Sequence, residues 1–160
     1  KAGVFSMLKI SIYIFGIDFL AATNASDWLV WVAAFSILAA SVVALSKTYL
    51  KARLAYSTIS QLGYIVLGAA LASPLAASGA ALHIATHATG KITLFFCAGA
   101  IYVAHHLSDI RDMDGLGRRM PVTFSAFALG ALSIIGVPPL AGAWSKLMLM
   151  GGAMQSEYVV

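Results

Sequence analysis

Charge is missing from this 160-residue chain over three long stretches: no Asp, Glu, Lys or Arg lies between Asp27 and Lys47, between Arg53 and Lys91, or between Arg119 and Lys146. The stretches are 19, 37 and 26 residues long, and about 20 predominantly apolar residues suffice to cross a bilayer as a helix. Apolar residues make up 61% of the chain and charged ones 10%, against roughly 45–50% and 25% in a soluble domain. That balance argues against a soluble globule. In hydrocarbon such runs must be helical, because each lipid-facing backbone group without a partner costs several kcal/mol.

Five apolar segments follow. Segment A runs from Lys1 to about Ala22, interrupted by Lys9 and Asp18; B is Trp28 to Ser46; C is Leu54 to about Ala72, closed by Ser73-Pro74. D spans about Ala80 to Ala104, and E runs from Pro121 to about Met154 with a break at Gly136–Gly142. The expected fold is an all-α polytopic membrane bundle of about five transmembrane helices, the last one broken, forming a single membrane domain over residues 1–160. The chain starts at Lys1 without Met or a cleavable leader and stops at Glu157-Tyr-Val-Val just past an apolar run. It therefore reads as an internal piece of a longer subunit.

The loops give an orientation. Lys47, Lys51 and Arg53 lie between B and C, and Arg111, Arg118 and Arg119 between D and E, while the A–B and C–D loops hold no Lys or Arg. Cytoplasmic connections carry the basic excess, so the B–C and D–E loops are expected in the cytoplasm of a bacterial inner membrane. The D–E loop also holds Asp109, Asp112 and Asp114 and reads as a solvated connector. A net charge of +4 is then a topology signal and not a nucleic-acid surface, for no basic aromatic patch accompanies it. The single cysteine, Cys97, supplies no disulfide, zinc cluster or redox pair and is expected to pack.

Against this background a few residues are out of place. Lys91 falls near the middle of D, where a lysine costs roughly 2.5–3.5 kcal/mol even on the lenient insertion scale. His83, His87 and Lys91 stand at i, i+4 and i+8, so they fan over about 80° of one helix face and climb about 12 Å. Imidazole titrates nearest physiological pH, which suits a proton relay; Thr86, Thr89 and Thr93 add hydroxyls that could order bridging water. The bland alternatives are a lysine paired with a carboxylate or facing an inert crevice, and histidines satisfied within the core. Lys146 follows Gly136-Val137-Pro138-Pro139-Leu140-Ala141-Gly142; tandem prolines disfavour a continuous helix, so E is expected as two half-helices with carbonyls freed between them. The competing reading is a plain kink with Lys146 snorkelling to the interface.

Other chemistries find little footing. His83-Ile-Ala-Thr-His87 has the two-histidine spacing of a zinc helix, but Ile84 stands where a metalloprotease needs Glu. Asp18, Asp27 and Glu157 are too scattered to form a carboxylate pair, and no nucleophile–base constellation is visible. No cofactor or metal and no bond-making active site is expected. A haem protein using His83, His87 or His105 is disfavoured, since two histidines one turn apart cannot flank one haem plane.

Several motifs resemble a known family. Leu50-Lys-Ala-Arg-Leu-Ala-Tyr-Ser-Thr-Ile-Ser-Gln-Leu-Gly-Tyr64, His83-Ile-Ala-Thr-His-Ala-Thr-Gly-Lys-Ile-Thr-Leu-Phe95, Gly115-Leu-Gly-Arg-Arg-Met-Pro121 and Gly136-Val-Pro-Pro-Leu-Ala-Gly-Ala-Trp-Ser-Lys146 are similar to the core of the proton-conducting antiporter-like subunits. These comprise the large membrane subunits of respiratory complex I, the A and D subunits of Mrp-type cation/proton antiporters, and hydrogenase-linked relatives. The resemblance implies the eighth to twelfth spans of such a subunit, working in a membrane hetero-oligomer on protons, with sodium or potassium as candidate counter-ions. It places Lys1 on the buried lysine joining two half-channels, His83, His87 and Lys91 on the relay of the second, and Lys146 on its terminal lysine. Gly136, Pro138, Pro139 and Gly142 become the broken helix. It also implies that segment A leaves the membrane near Lys9 and returns as a short surface stretch. The family's first half-channel is absent, and Gly90-Lys91-Ile-Thr departs from the usual bulkier neighbours. Arg118-Arg119-Met120-Pro121 and Val137-Pro138-Pro139 look closer to the D-like branch of the Mrp subunits; a complex I subunit is the alternative.

Overall fold

The computed structural model describes residues 1–156; Glu157 lies outside the described residues. Eight α-helices carry the fold: α1 (Ala2–Lys9), α2 (Ile17–Thr23), α3 (Asp27–Ser46), α4 (Leu50–Ala70), α5 (Pro74–His105), α6 (Leu116–Arg119), α7 (Pro121–Ile135) and α8 (Ala141–Gln155). By length and composition α3 and α5 can each cross a membrane, and the bent pair made by residues 2–15 and α2 adds a third candidate span. At 21 residues α4 is about 31 Å long, but Lys51, Arg53, Ser57, Thr58, Ser60 and Gln61 dilute its apolar character.

Segment A differs from what the resemblance implied. The chain does not leave the helix at Lys9; it continues through a wider-wound turn, Ile10–Phe15, and breaks at Gly16, where φ is +81°. There the axis turns by 83°. A single lysine does not end a helix, and the Lys9 ammonium lies over the rings of Phe5 and Tyr13, 5.4 and 6.0 Å from their centroids. Glycine supplies the left-handed backbone that the break requires.

Packing is by small residues, as expected where lipid offers no hydrophobic drive between helices. α3 turns Ala33, Ile37, Ala40 and Ala44 toward α4, while Trp31, Phe35, Leu38, Val42 and Leu45 face outward, each more than 60% exposed. A hydrogen bond between Ser41 and Ser60 at 2.8 Å joins α3 to α4. α5 packs on α4, α7 and α8; a side chain at Gly79 would strike Met148 and Leu149, and one at Gly152 would strike Ala76.

The two basic loops lie at one end of the bundle. Tyr49 and Asp109 form an antiparallel bridge, with the Leu50 amide donating to Ser108 O and the Ile110 amide to Thr48 O, both at 3.0 Å. Asp109 accepts the Arg111 amide at 2.9 Å. That bond, followed by one from the Thr48 hydroxyl, holds its carboxyl below the usual carboxylate range.

Candidate functional site

The site is built on α5, whose 32 residues start at Pro74, a proline in the first turn where its missing N–H costs nothing. On the face covered by α4 and α8, His83, His87 and Lys91 are 2%, 2% and 5% exposed. These side chains point into the bundle and do not reach for its ends.

Lys91 meets a carbonyl and not a carboxylate: its Nζ donates to Leu54 O on α4 at 3.0 Å. The same oxygen accepts the Thr58 hydroxyl at 2.8 Å. An ammonium has three donors, so this bond leaves others to be shared. Leu54 also walls a cavity of about 380 Å³ that reaches to Arg53 and Asp114 at the basic-loop end. The ladder's first rung is thus one residue from an opening.

One turn back along α5, His87 has no protein partner for either ring nitrogen. Its ring stacks on that of His83, with centroids 5.7 Å apart and planes 18° from parallel. His83 is held on both sides: Nε2 lies 3.1 Å from Gln61 Oε1 on α4, and Nδ1 lies 3.0 Å from Ser145 Oγ on α8. The ring of Tyr64 meets His83 edge-on at 6.2 Å. On its other side Tyr64 receives the Lys146 ammonium, 5.7 Å from the ring centroid.

Lys146 turns back to α7. Its Nζ donates to Ile134 O at 2.8 Å and to Ile135 O at 3.0 Å, the last carbonyls of a helix that stops at Gly136 with φ +93°. The expected break is present between Ile135 and Ala141. The freed carbonyls are taken by a cation at the negative end of the helix, where the macrodipole favours it. Gly142 makes the second half possible, because a side chain there would collide with Ser133 O. Pro138 and Pro139 occupy the turn joining the halves, and Lys146 with Tyr64 walls a groove of about 280 Å³ beside Leu149 and Met150.

The remaining expected residues sort differently. Lys1 is exposed at the head of α1 and joins none of these bonds through its side chain, although α1 packs on α4 and α5. The threonines are not strung along the ladder. Thr89 is exposed, and Thr86, Thr89 and Thr93 donate to carbonyls of their own helix, the usual fate of a helical hydroxyl without a better acceptor. Thr86 Oγ1 alone of the three comes near the site, 3.5 Å from Ser145 Oγ. Gln61, Tyr64, Ser145 and the Leu54 carbonyl escaped sequence reasoning as working parts. Gln61 and Tyr64 stand at i, i+3 in an apolar run, which is the signal that would have found them. Among the described residues no group of three or more His, Cys, Asp or Glu side chains gathers as a metal site.

The arrangement is a buried line of proton-exchanging groups, about 12 Å from Lys91 to His83, extended by Tyr64 to Lys146 and opening near a cavity at either end. Comparison with known proteins gives this line a context. One polypeptide of the archaeal membrane-bound sulfane sulfur reductase, a respiratory membrane complex, superposes with a TM-score of 0.87 at 29% identity, covering 98% of this chain and 32% of that one. The NADH-quinone oxidoreductase subunit N of Desulforudis audaxviator is 42% identical over 126 residues, 79% of this chain and 25% of that protein. The A/B-type K(+)/H(+) antiporter protein of Rhizobium meliloti is 38% identical over 160 residues, 99% of this chain and 15% of that protein. The chain thus spans a quarter or less of these two relatives. The transmembrane family model of NADH:quinone oxidoreductase/Mrp antiporters matches residues 1–160, and the chain belongs to that family of integral membrane subunits.

Proposed function

We propose that this chain forms part of a proton-translocating membrane subunit of a multisubunit monovalent cation/proton antiporter, and that protons move along Lys91, His87, His83 and Lys146. Its place is a bacterial inner membrane with the two basic loops in the cytoplasm, following the basic-residue bias. Lys1 is assigned to the junction with the upstream half-channel, and sodium or potassium is the exchanged ion.

One observation carries the reading: His87, 2% exposed, presents two ring nitrogens without protein partners between His83 and Lys91. A neutral imidazole has one donor and one acceptor, and leaving such groups unmade costs about 1–3 kcal/mol. Buried water bridging two to four polar groups meets that need. Water beside a histidine between a lysine and a second histidine is a route for a proton. The cavities at Leu54 and Tyr64 have room for water at both ends, since one water occupies about 30 Å³.

The test is His87→Phe in the intact subunit, assembled with its partners and reconstituted in vesicles. A ring of similar shape keeps the stack on His83 and removes both nitrogens. Proton flux should fall at least tenfold while assembly is kept; flux at the unsubstituted rate would end the proposal. A second reading, a proton-pumping subunit of an NADH-quinone oxidoreductase, is favoured by the 42% identity to such a subunit. It uses the same relay driven by a redox partner. The subunits that co-purify separate the two.

A further inference from the structure

The protons on His83 and Ser145 cannot be placed independently. Ser145 is fully buried, and its Oγ lies 3.0 Å from His83 Nδ1 and 3.0 Å from Gly142 O. The hydroxyl owns one proton, and the Gly142 carbonyl can only accept. When Nδ1 is bare, the hydroxyl donates to it and leaves Gly142 O. When Nδ1 carries hydrogen, Nδ1 donates to Oγ and the hydroxyl proton turns to Gly142 O. The coupling survives either orientation of the Gln61 amide, because that amide decides only which partner Nε2 has.

Gly142 is no neutral bystander. It sits in the first turn of α8, pressed onto Ser133 O of α7, at the end of the break that Lys146 closes from the other side. A hydroxyl moving between His83 and this carbonyl joins the ladder to the broken helix. We propose that Ser145 is a positioning residue: its hydroxyl reports protonation at His83 Nδ1 to the Gly142 carbonyl, coupling the relay to the junction of the two half-helices. Ser145 touches no transported ion and acts through His83. The inference rests on the relay reading above.

Other groups that face His83 act on it too. They are Gln61 and Tyr64 from α4, His87 on its own helix, and Lys146 on α8; Lys1 at the head of α1 is within electrostatic reach. A test must therefore change Ser145 and leave these in place. Ser145→Ala removes the rotor, and Ser145→Thr restores a hydroxyl on the same carbon.

In the assembled full-length protein, flux would be measured across pH for Ser145→Ala, Ser145→Thr and His87→Phe. The expected result is a tenfold or greater loss and a displaced pH profile for Ser145→Ala, with recovery to within threefold for Ser145→Thr. Loss in His87→Phe with full flux in Ser145→Ala overturns the inference and keeps the relay; full flux in both overturns the relay itself. Loss in both Ser145 variants with normal assembly marks a packing role and also overturns the inference. Should Ser145→Ala not assemble, ¹⁵N spectra of His83 in the unsubstituted protein decide. Nδ1 must show hydrogen bonding as acceptor at one end of the working pH range and as donor at the other, and an Nδ1 that keeps one role throughout contradicts the proposal.

Discussion

Replacing Lys91 by methionine separates a conducting lysine from a structural one. The side chains are similar in length, so the change removes an ammonium and leaves the packing nearly intact. A lysine at mid-membrane costs roughly 2.5–3.5 kcal/mol, and its bond to Leu54 O returns about 1.5–3 kcal/mol as a hydrogen bond to a charged group. Leu54 O retains the Thr58 hydroxyl, so it is not orphaned by the loss. Lys91→Met should therefore leave stability unchanged or raise it by up to about 2 kcal/mol. Proton flux, in contrast, should fall more than tenfold. One charge crossing 100 mV involves about 2.3 kcal/mol, and no methionine can carry it. The assay pairs thermal unfolding of the assembled protein with pH-dye quenching in vesicles. Flux above half the original, or a joint loss of stability and flux, refutes the reasoning.

Three further outcomes are expected. Gly136→Ala places a Cβ 3.1 Å from Lys146 Cδ in a residue with φ +93°; it should cost about 1–2 kcal/mol in thermal unfolding and loosen Lys146 from α7, lowering flux. Gly142→Ala drives a methyl into Ser133 O and should lower stability by about 2–3 kcal/mol, read as a smaller yield of assembled complex. Asp109→Asn tests the loop junction: a carboxyl held below its ordinary range stabilises the fold above the unfolded value of about 3.9 and loses that contribution as pH falls through the folded one. The unsubstituted protein should therefore lose stability more steeply below about pH 4 than Asp109→Asn, as followed by acid titration of unfolding.

The helices were legible because hydropathy is a local property. Charge-free runs marked α3 and α5, and Gly136, Pro138 and Pro139 marked the break within two residues of where α7 ends. The ladder was legible for the same reason: i, i+4, i+8 on one helix needs no tertiary knowledge. Its partners were not. Gln61 and Ser145 approach His83 from helices 22 and 62 residues away in sequence, and nothing local to His83 names them. Lys146 showed as a lysine out of place, but that it closes α7 through Ile134 O and Ile135 O depends on how the two half-helices fold back. Segment A shows the opposite failure. Attention to Lys9 displaced the simpler signal of Gly16, where the backbone turns.

The central claim is that water reaches the buried ladder. A high-resolution map of the complete assembled protein tests it at His87. The account predicts ordered water within about 2.7–3.2 Å of at least one ring nitrogen, continuing toward Lys91 or His83. Ring nitrogens packed against carbon on every side, with no water between Gln61 and Lys91, would contradict it.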